Sequence, residues 1–159
     1  PLHAAGLYYL QEPTAMAVVE CANLAPGQTV LDIAAAPGGK ATHASSAIGR
    51  SGLLLANEIH PARIKALGEN LERWGAVNTI ITNRTTEQLA AIPDVSFQRI
   101  IIDAPCSGEG LFRREPDARR EWSPARVTGS AARQTTILEA AVRMLAPGGA
   151  LNRATNVRT

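Results

Sequence analysis

Residues Thr29 to Lys40 read TVLDIAAAPGGK, and the order of residue types in this stretch decides the fold. Thr29-Val30-Leu31-Asp32-Ile33 is a short β-branched and apolar run bounded by glycines, as expected of a strand covered on both faces. It leads directly into Pro37-Gly38-Gly39, after which small residues from Lys40 to Ile48 suit a helix. Gly49 to Gly52 break that helix, and Leu53-Leu54-Leu55-Ala56-Asn57 supplies a second apolar strand. Strand, glycine turn, helix and strand make a βαβ unit, which demands parallel strands and a crossover packed on the sheet.

The pattern continues in both directions. Upstream, Pro13 opens a helical run in which Ala17, Val18 and Cys21 share a face, closed by Pro26-Gly27. Downstream, Pro61 starts a helix whose Ile64, Leu67, Leu71 and Trp74 recur at helical spacing, with Gly75 placed to end it. Thr79 to Thr82 reads as a third strand, Glu87 to Ala91 as a weak helix, and Arg99-Ile100-Ile101-Ile102-Asp103 as the clearest strand of all. A long helix is predicted from Thr128 to Leu145 with Ile137, Leu138, Ala141, Val142 and Leu145 on one side. Pro147-Gly148-Gly149 should stop it, and the next strand should start at Ala150.

Strands alternating with helices predict an α/β fold, a doubly wound and mostly parallel sheet of the Rossmann-like kind, over residues 1–159 as one domain. Ligands of such sheets sit beyond the carboxyl ends of the strands. Chemistry should therefore gather at Asp32, Glu58, Asn83 and Asp103.

With 159 residues, 45% hydrophobic and 19% charged, the composition is that of a globular domain rather than a disordered or fibrous chain. No apolar run approaches the roughly 20 residues needed to span a bilayer, and the start PLHAAGLYYLQEP is not a secretory signal, so no membrane partner and a cytoplasmic location are expected. Two cysteines, Cys21 and Cys106, are too few for a disulfide framework or a metal cluster, and no metal is expected. The net charge of +2 is uneven: residues 111–159 hold nine arginines against Glu115, Asp117, Glu121 and Glu139, leaving the preceding part acidic. Such asymmetry suits a polyanionic partner, although a solvated arginine-rich face has the same signature. The oligomeric state is not legible.

The glycine turn lets backbone approach a ligand, and Ala34, Ala35 and Ala36 keep its side of the sheet small. Amides at the start of the following helix can hold a phosphate or a carboxylate. The stretch is neither GxGxxG nor a phosphate loop ending in GK[ST], since Ala41 follows Lys40, so the carboxylate of a methionine is an acceptable guest and NAD is disfavoured. Glu58 ends the second strand about 20 residues past the glycines, where related nucleotide folds place the acid that binds a ribose. An ordinary tight turn followed by a helix-start acid is the bland alternative.

DAPCSGEG, beginning at Asp103, follows a buried strand directly, and a thiol on a loop at the ligand end of a sheet is a candidate nucleophile. Carbon 5 of cytosine is a poor nucleophile until a thiolate adds at carbon 6, so Cys106 could solve that problem. Asp103 could hydrogen-bond the exocyclic amine and ring nitrogen, and Pro105 would stiffen the approach. The alternative is a small buried apolar residue, which is how Cys21, among Val18, Val19 and Leu24, is read. LFRREPDARREW then groups Arg113, Arg114, Arg119 and Arg120 with Phe112 and Trp122, charges for phosphates beside rings for stacking. The same segment could equally be a helix carrying Arg–Glu pairs in solvent.

Taken together, YYLQEP, LDIAAAPGGK, Asn57-Glu58, IDAPCSGEGLFRR and LAPGG resemble the ordered motifs of the Nop/Sun family of RNA cytosine-5 methyltransferases, with GLYYLQEP and GEGLFRR nearest its bacterial small-subunit ribosomal RNA subgroup. The resemblance covers nearly the whole chain. It implies a class I methyltransferase fold that binds S-adenosylmethionine (SAM) and acts on RNA. It implies SAM contacts at Ala34, Ala35, Ala36, Pro37, Gly38, Gly39 and Lys40, at Glu58 for the ribose, and at Asp103 near the methionine and the target base. It makes Cys106 a helper in product release, the covalent nucleophile being a cysteine in a later threonine-cysteine motif.

Three departures from the family pattern stand out. An acid expected just after Asn83, near the adenine, is replaced by the Arg84-Thr85 region. After Pro147-Gly148-Gly149 the chain reads ALNRATNVRT, without a threonine-cysteine pair, and the family's N-terminal RNA-binding segment does not precede residue 1. The expectation is a SAM-binding core cut at both ends, with little turnover by itself. Two alternatives accompany it: an inert module that binds SAM and docks RNA, and a methyltransferase in which Cys106 itself attacks.

Overall fold

The computed structural model describes residues 2–103, 117, 120 and 122–154. Its elements are α1 (Pro13–Cys21), β1 (Thr29–Asp32), α2 (Gly39–Ile48), β2 (Leu53–Asn57), α3 (Pro61–Trp74), β3 (Thr79–Thr82), α4 (Thr86–Ala90), β4 (Phe97–Asp103), α5 (Pro124–Arg143) and β5 (Leu145–Ala154). The five strands form one sheet in the order β3-β2-β1-β4-β5, and each neighbouring pair is parallel. The expected doubly wound α/β architecture is therefore present.

Both faces of the sheet are covered, which is why its strands are apolar runs rather than alternating ones. Val30, Leu54, Ala56 and Ile101 face Val19 of α1, Ala41, Ala44 and Ile48 of α2, and Leu67 and Leu71 of α3. Leu31, Ile100 and Ile102 face Leu89 of α4 together with Ala141 and Met144 at the end of α5. Proline at the first turn starts α1, α3 and α5, where its missing N–H costs nothing. Gly75, at φ 73°, closes α3 in the left-handed conformation, and the Ala76 amide donates back to the Leu71 carbonyl at 3.0 Å.

The last third differs from expectation. Helix α5 begins at Ser123-Pro124 and ends at Arg143, two residues short of the predicted Leu145. Of the predicted stripe, Ala141 is in the core and Ile137, Leu138 and Leu145 pack against it, while Val142 is 59% exposed; Gln134 and Ala140 complete the buried face. Strand β5 starts at Leu145 instead of Ala150. Phe97 pairs with Leu145 and Arg99 with Ala150, so Pro147-Gly148-Gly149 makes an excursion inside the strand instead of preceding it.

Strand β1 has β2 on one side and β4 on the other, so the chain reverses its direction of travel across the sheet between them. In sheets of this kind the crevice at the carboxyl ends of those two strands is the ligand position.

Candidate functional site

The turn after β1 is held from three directions. The Ile33 amide donates to the Ile101 carbonyl at 3.1 Å and the Ala35 amide to the Asn57 carbonyl at 2.9 Å, so backbone from β4 and β2 fixes its path. Helix α3 supplies the third support. Asn70 donates its amide to the Pro37 carbonyl at 2.7 Å, the Arg63 guanidinium donates to the Ala36 carbonyl, and Arg73 donates to the Asn70 Oδ1 at 2.7 Å. Gly38, at φ 117°, is the N-cap of α2, a conformation that glycine alone adopts without strain. Ala35 and Ala36 are 3% and 6% exposed and belong to the core, so they fill the sheet side of the turn more than they open it; Ala34 is half-buried.

Glu58 follows β2 and is 1% exposed. Its Oε1 accepts the His60 amide at 2.9 Å, and its Oε2 lies 3.3 Å from Arg63 in an ion pair with no hydrogen bond of its own. Asn83 donates to the Glu58 and Ile59 carbonyls at 2.6 and 3.0 Å, clamping the loop that presents this acid. Asn57, 1% exposed, uses all its polar capacity. It donates to the Ile33 and Arg84 carbonyls at 3.2 and 3.0 Å and accepts from the Thr82 hydroxyl at 2.9 Å and the Arg84 amide at 3.1 Å. The Arg84-Thr85 region thus has a backbone role, completed by the capping box in which Thr85 starts α4.

Asp103 ends β4, where its carboxylate meets Lys40 Nζ at 2.6 Å, tying the glycine turn to the far side of the crevice. Asp32 ends β1 with no exposed surface, and neither of its oxygens has a hydrogen-bond partner among the described residues. Burial pushes its carboxyl up from 3.8 to about 7. Lys40 and the Ala34 backbone amide pull against that shift, while Asp103 and Glu58 add to it. Three acids and one lysine therefore surround the carboxyl ends of β1, β2 and β4, next to a helix whose first amides have no carbonyl to meet. Such a set can hold a carboxylate on the amides and a cationic or hydroxyl-bearing group on the acids.

Of the residues predicted for the site, Ala34 to Lys40, Glu58 and Asp103 come together at this edge. Cys106, Arg113 and Arg114 lie outside the described residues. Arg120 is within 3.1 Å of Asp117, and both are strongly exposed, so this arginine sits in a solvated i,i+3 pair. Cys21 departs from its reading as an apolar packing residue. It is exposed, and with Thr14, Ala17, Val18, Asn152 and Arg153 it lines a shallow groove between α1 and β5. Arg63, Asn70 and Asn57 carry the geometry of the site and were not among the predicted residues. Asn57 was adjacent to one, and the helical spacing of Arg63, Asn70 and Arg73 on α3 was the one available signal.

Among the described residues no group of three or more His, Cys, Asp or Glu is arranged to hold a metal, and no helix is long and apolar enough to cross a membrane.

A sequence profile of the family described as 16S rRNA methyltransferase RsmB/F matches residues 19–157. The ribosomal RNA small subunit methyltransferase F of Salmonella arizonae is 43% identical over 152 residues, which cover 94% of this chain and 32% of that protein. The chain therefore spans about a third of the length of the curated relatives it matches. Two solved structures from Pyrococcus horikoshii share the fold. NSun6 with SFG superposes with a TM-score of 0.85 at 26% identity, covering 94% of this chain and 38% of that one. A methyltransferase homologue superposes with a TM-score of 0.82 at 30% identity, covering 95% and 47%.

Proposed function

The chain belongs to the 16S rRNA methyltransferase RsmB/F family, and from that premise we propose that residues 1–159 act as one unit, the SAM-binding core of an RNA cytosine-5 methyltransferase whose substrate is small-subunit ribosomal RNA in the cytoplasm. The observation that carries this reading is the Lys40–Asp103 contact of 2.6 Å, which brings the glycine turn and the start of the DAPC segment to one crevice.

The residues fit the cofactor on three counts. The first turn of α2 offers amides to a methionine carboxylate. Glu58 is buried with one oxygen lacking a hydrogen bond, as suits an acceptor for a ribose hydroxyl. Asp32 offers two buried, unpartnered oxygens at the same turn. SAM supplies an electrophilic methyl group. Ala34 to Lys40 would hold its amino-acid end, Glu58 would hold the ribose, and Lys40, 2.6 Å from Asp103, would orient that side chain beside the reacting groups. Asp103 then hydrogen-bonds the cytosine amine and ring nitrogen, favouring the protonated base that thiolate addition requires.

Neither cysteine of the 159 residues follows a threonine. In the whole protein the attack on carbon 6 belongs to a cysteine of a threonine-cysteine motif, and Cys106 assists release of the methylated product. Arg113 and Arg114 bind RNA phosphates.

Two measurements test this. Calorimetry should register SAM binding by the wild type and a loss of roughly tenfold to a hundredfold in Glu58→Gln, the range for one charge-assisted hydrogen bond. With the whole protein, methylation of small-subunit ribosomal RNA should appear in bisulfite sequencing. In that protein Cys106→Ser should accumulate a denaturant-stable protein–RNA adduct, because attack is intact and release is not. Loss of the adduct would instead make Cys106 the attacking thiol.

A further inference from the structure

The segment ahead of α1 lies against the glycine turn. An ideal Cβ on Gly39 would stand 2.6 Å from the Gln11 Oε1 and 3.4 Å from the Tyr9 ring, so the space that a side chain would fill at the start of α2 is taken by these two residues. Tyr9 and Gln11 are partly buried while Tyr8, Leu10 and Glu12 are exposed, the alternation of an extended strap with one face inward. The strap is anchored at its other end on α3. A Cβ on Gly6 would overlap the Arg73 carbonyl at 1.9 Å, and the Arg73 guanidinium stands 5.8 Å from the centre of the Tyr9 ring. Arg73 also holds Asn70, which donates to the Pro37 carbonyl, so strap and turn share one support.

Within this arrangement the Gln11 Oε1 is buried with no hydrogen-bond partner among the described residues. A buried amide oxygen left bare is costly and calls for a donor. The α3 donors that hold the turn and the strap are directed elsewhere: Asn70 to Pro37 and Arg73 to Asn70. The amides that open α2 attract a carboxylate, and the wholly buried Asp32 adds acceptor oxygens at the same turn. Acceptors beside a carboxylate cradle are the recognition set for an α-amino acid, whose ammonium and carboxylate share one carbon.

We propose that Gln11 is a cofactor-contacting residue, its side-chain carbonyl accepting a hydrogen bond from the α-ammonium of the methionine part of SAM while the amides opening α2 take the carboxylate. The strap over residues 2–12 is then a wall of the methionine subsite. This deepens the SAM reading above and rests on it. It also assigns Gly39 a reason to lack a side chain that is separate from turn geometry: the Cβ would push Gln11 out of place.

The test compares two ligands that differ only at the amino-acid end. S-adenosylhomocysteine carries it, and 5′-methylthioadenosine lacks it. Calorimetry on Gln11→Leu, which keeps bulk and removes the acceptor, should weaken S-adenosylhomocysteine about tenfold while leaving methylthioadenosine within about twofold of wild type. Gln11→Glu, which keeps an acceptor and adds charge, should restore the affinity. Gly39→Ala should reproduce the Gln11→Leu pattern. Equal weakening of both ligands would mean a packing role and overturn the proposal, as would unchanged S-adenosylhomocysteine binding in Gln11→Leu. A wild type that binds neither ligand would overturn the SAM reading itself, a result distinct from a wild type that binds both and a Gln11→Leu that behaves like it.

Discussion

A carboxyl group shut off from solvent makes folding depend on pH, and Asp32 is such a group. Its pKa in the folded chain is about 7 against 3.8 when free. Between those limits the unfolded chain releases the proton and the folded chain keeps it. The proton's contribution is complete below 3.8 and is lost as pH rises through about 7, at about 1.4 kcal/mol for every tenfold difference in proton affinity between the two states. Urea unfolding at pH 5 and pH 8 should therefore show a steeper loss of stability in wild type than in Asp32→Asn, which has no proton to lose. Parallel slopes would refute the assignment. The position of this acid was readable in the chain, because an apolar run ending in Asp before a glycine turn puts the acid at a strand's carboxyl end; Glu58 and Asp103 were found by the same rule. Its isolation was not readable, nor were Arg63, Asn70 and Gln11 as parts of the site. Arg63 meets Ala36 across 27 positions and Asn70 meets Pro37 across 33. Such contacts depend on how α3 is rotated on the sheet, and periodicity alone leaves that rotation to within one neighbouring residue.

Helix α5 shows the same uncertainty from the opposite side. Its existence followed from helical spacing, yet Val142, expected on the packed face, lies in solvent, because one step along a helix turns a side chain by about 100°. Gly129 in this helix is exposed, with nothing within 4 Å of where a Cβ would stand. Gly129→Ala should stabilise the fold by ~0.5–1 kcal/mol, seen as a melting temperature raised by a few degrees. Gly149 in β5 predicts the reverse. A Cβ there would meet the carbonyls of Ala146, Phe97 and Gln98 at 2.9, 3.0 and 3.2 Å, all backbone that cannot step aside. Gly149→Ala should cost ~1–3 kcal/mol by forcing β4 and β5 apart, and an unchanged melting temperature would rule out that packing. Pro147-Gly148-Gly149 reads as a terminator because those residues usually are one. Inside a parallel pair they instead allow the register of β5 to shift against β4.

The parallel sheet and its ligand edge were the most legible features of all, since alternating apolar runs and helices leave few topologies and every one of them puts ligands at the same edge. Binding there should stabilise the assembly as a unit. SAM at a hundred times its dissociation constant adds about 2.7 kcal/mol, so the melting temperature should rise by roughly 5–10 °C in wild type, and by clearly less in Glu58→Gln at the same concentration. The order β3-β2-β1-β4-β5 also has a consequence for the chain during its synthesis. β1, β2 and β3 are made first and can pair as they emerge, but the remaining flank of β1 waits for β4, whose Gln98 reaches Thr29 from 69 positions away. Until then, a strand whose Val30 and Leu31 end with no exposure is an open, apolar margin on a nascent polypeptide. Translation of the stretch between β3 and β4 is thus the interval in which this protein is most open to chaperones and to aggregation with its own copies.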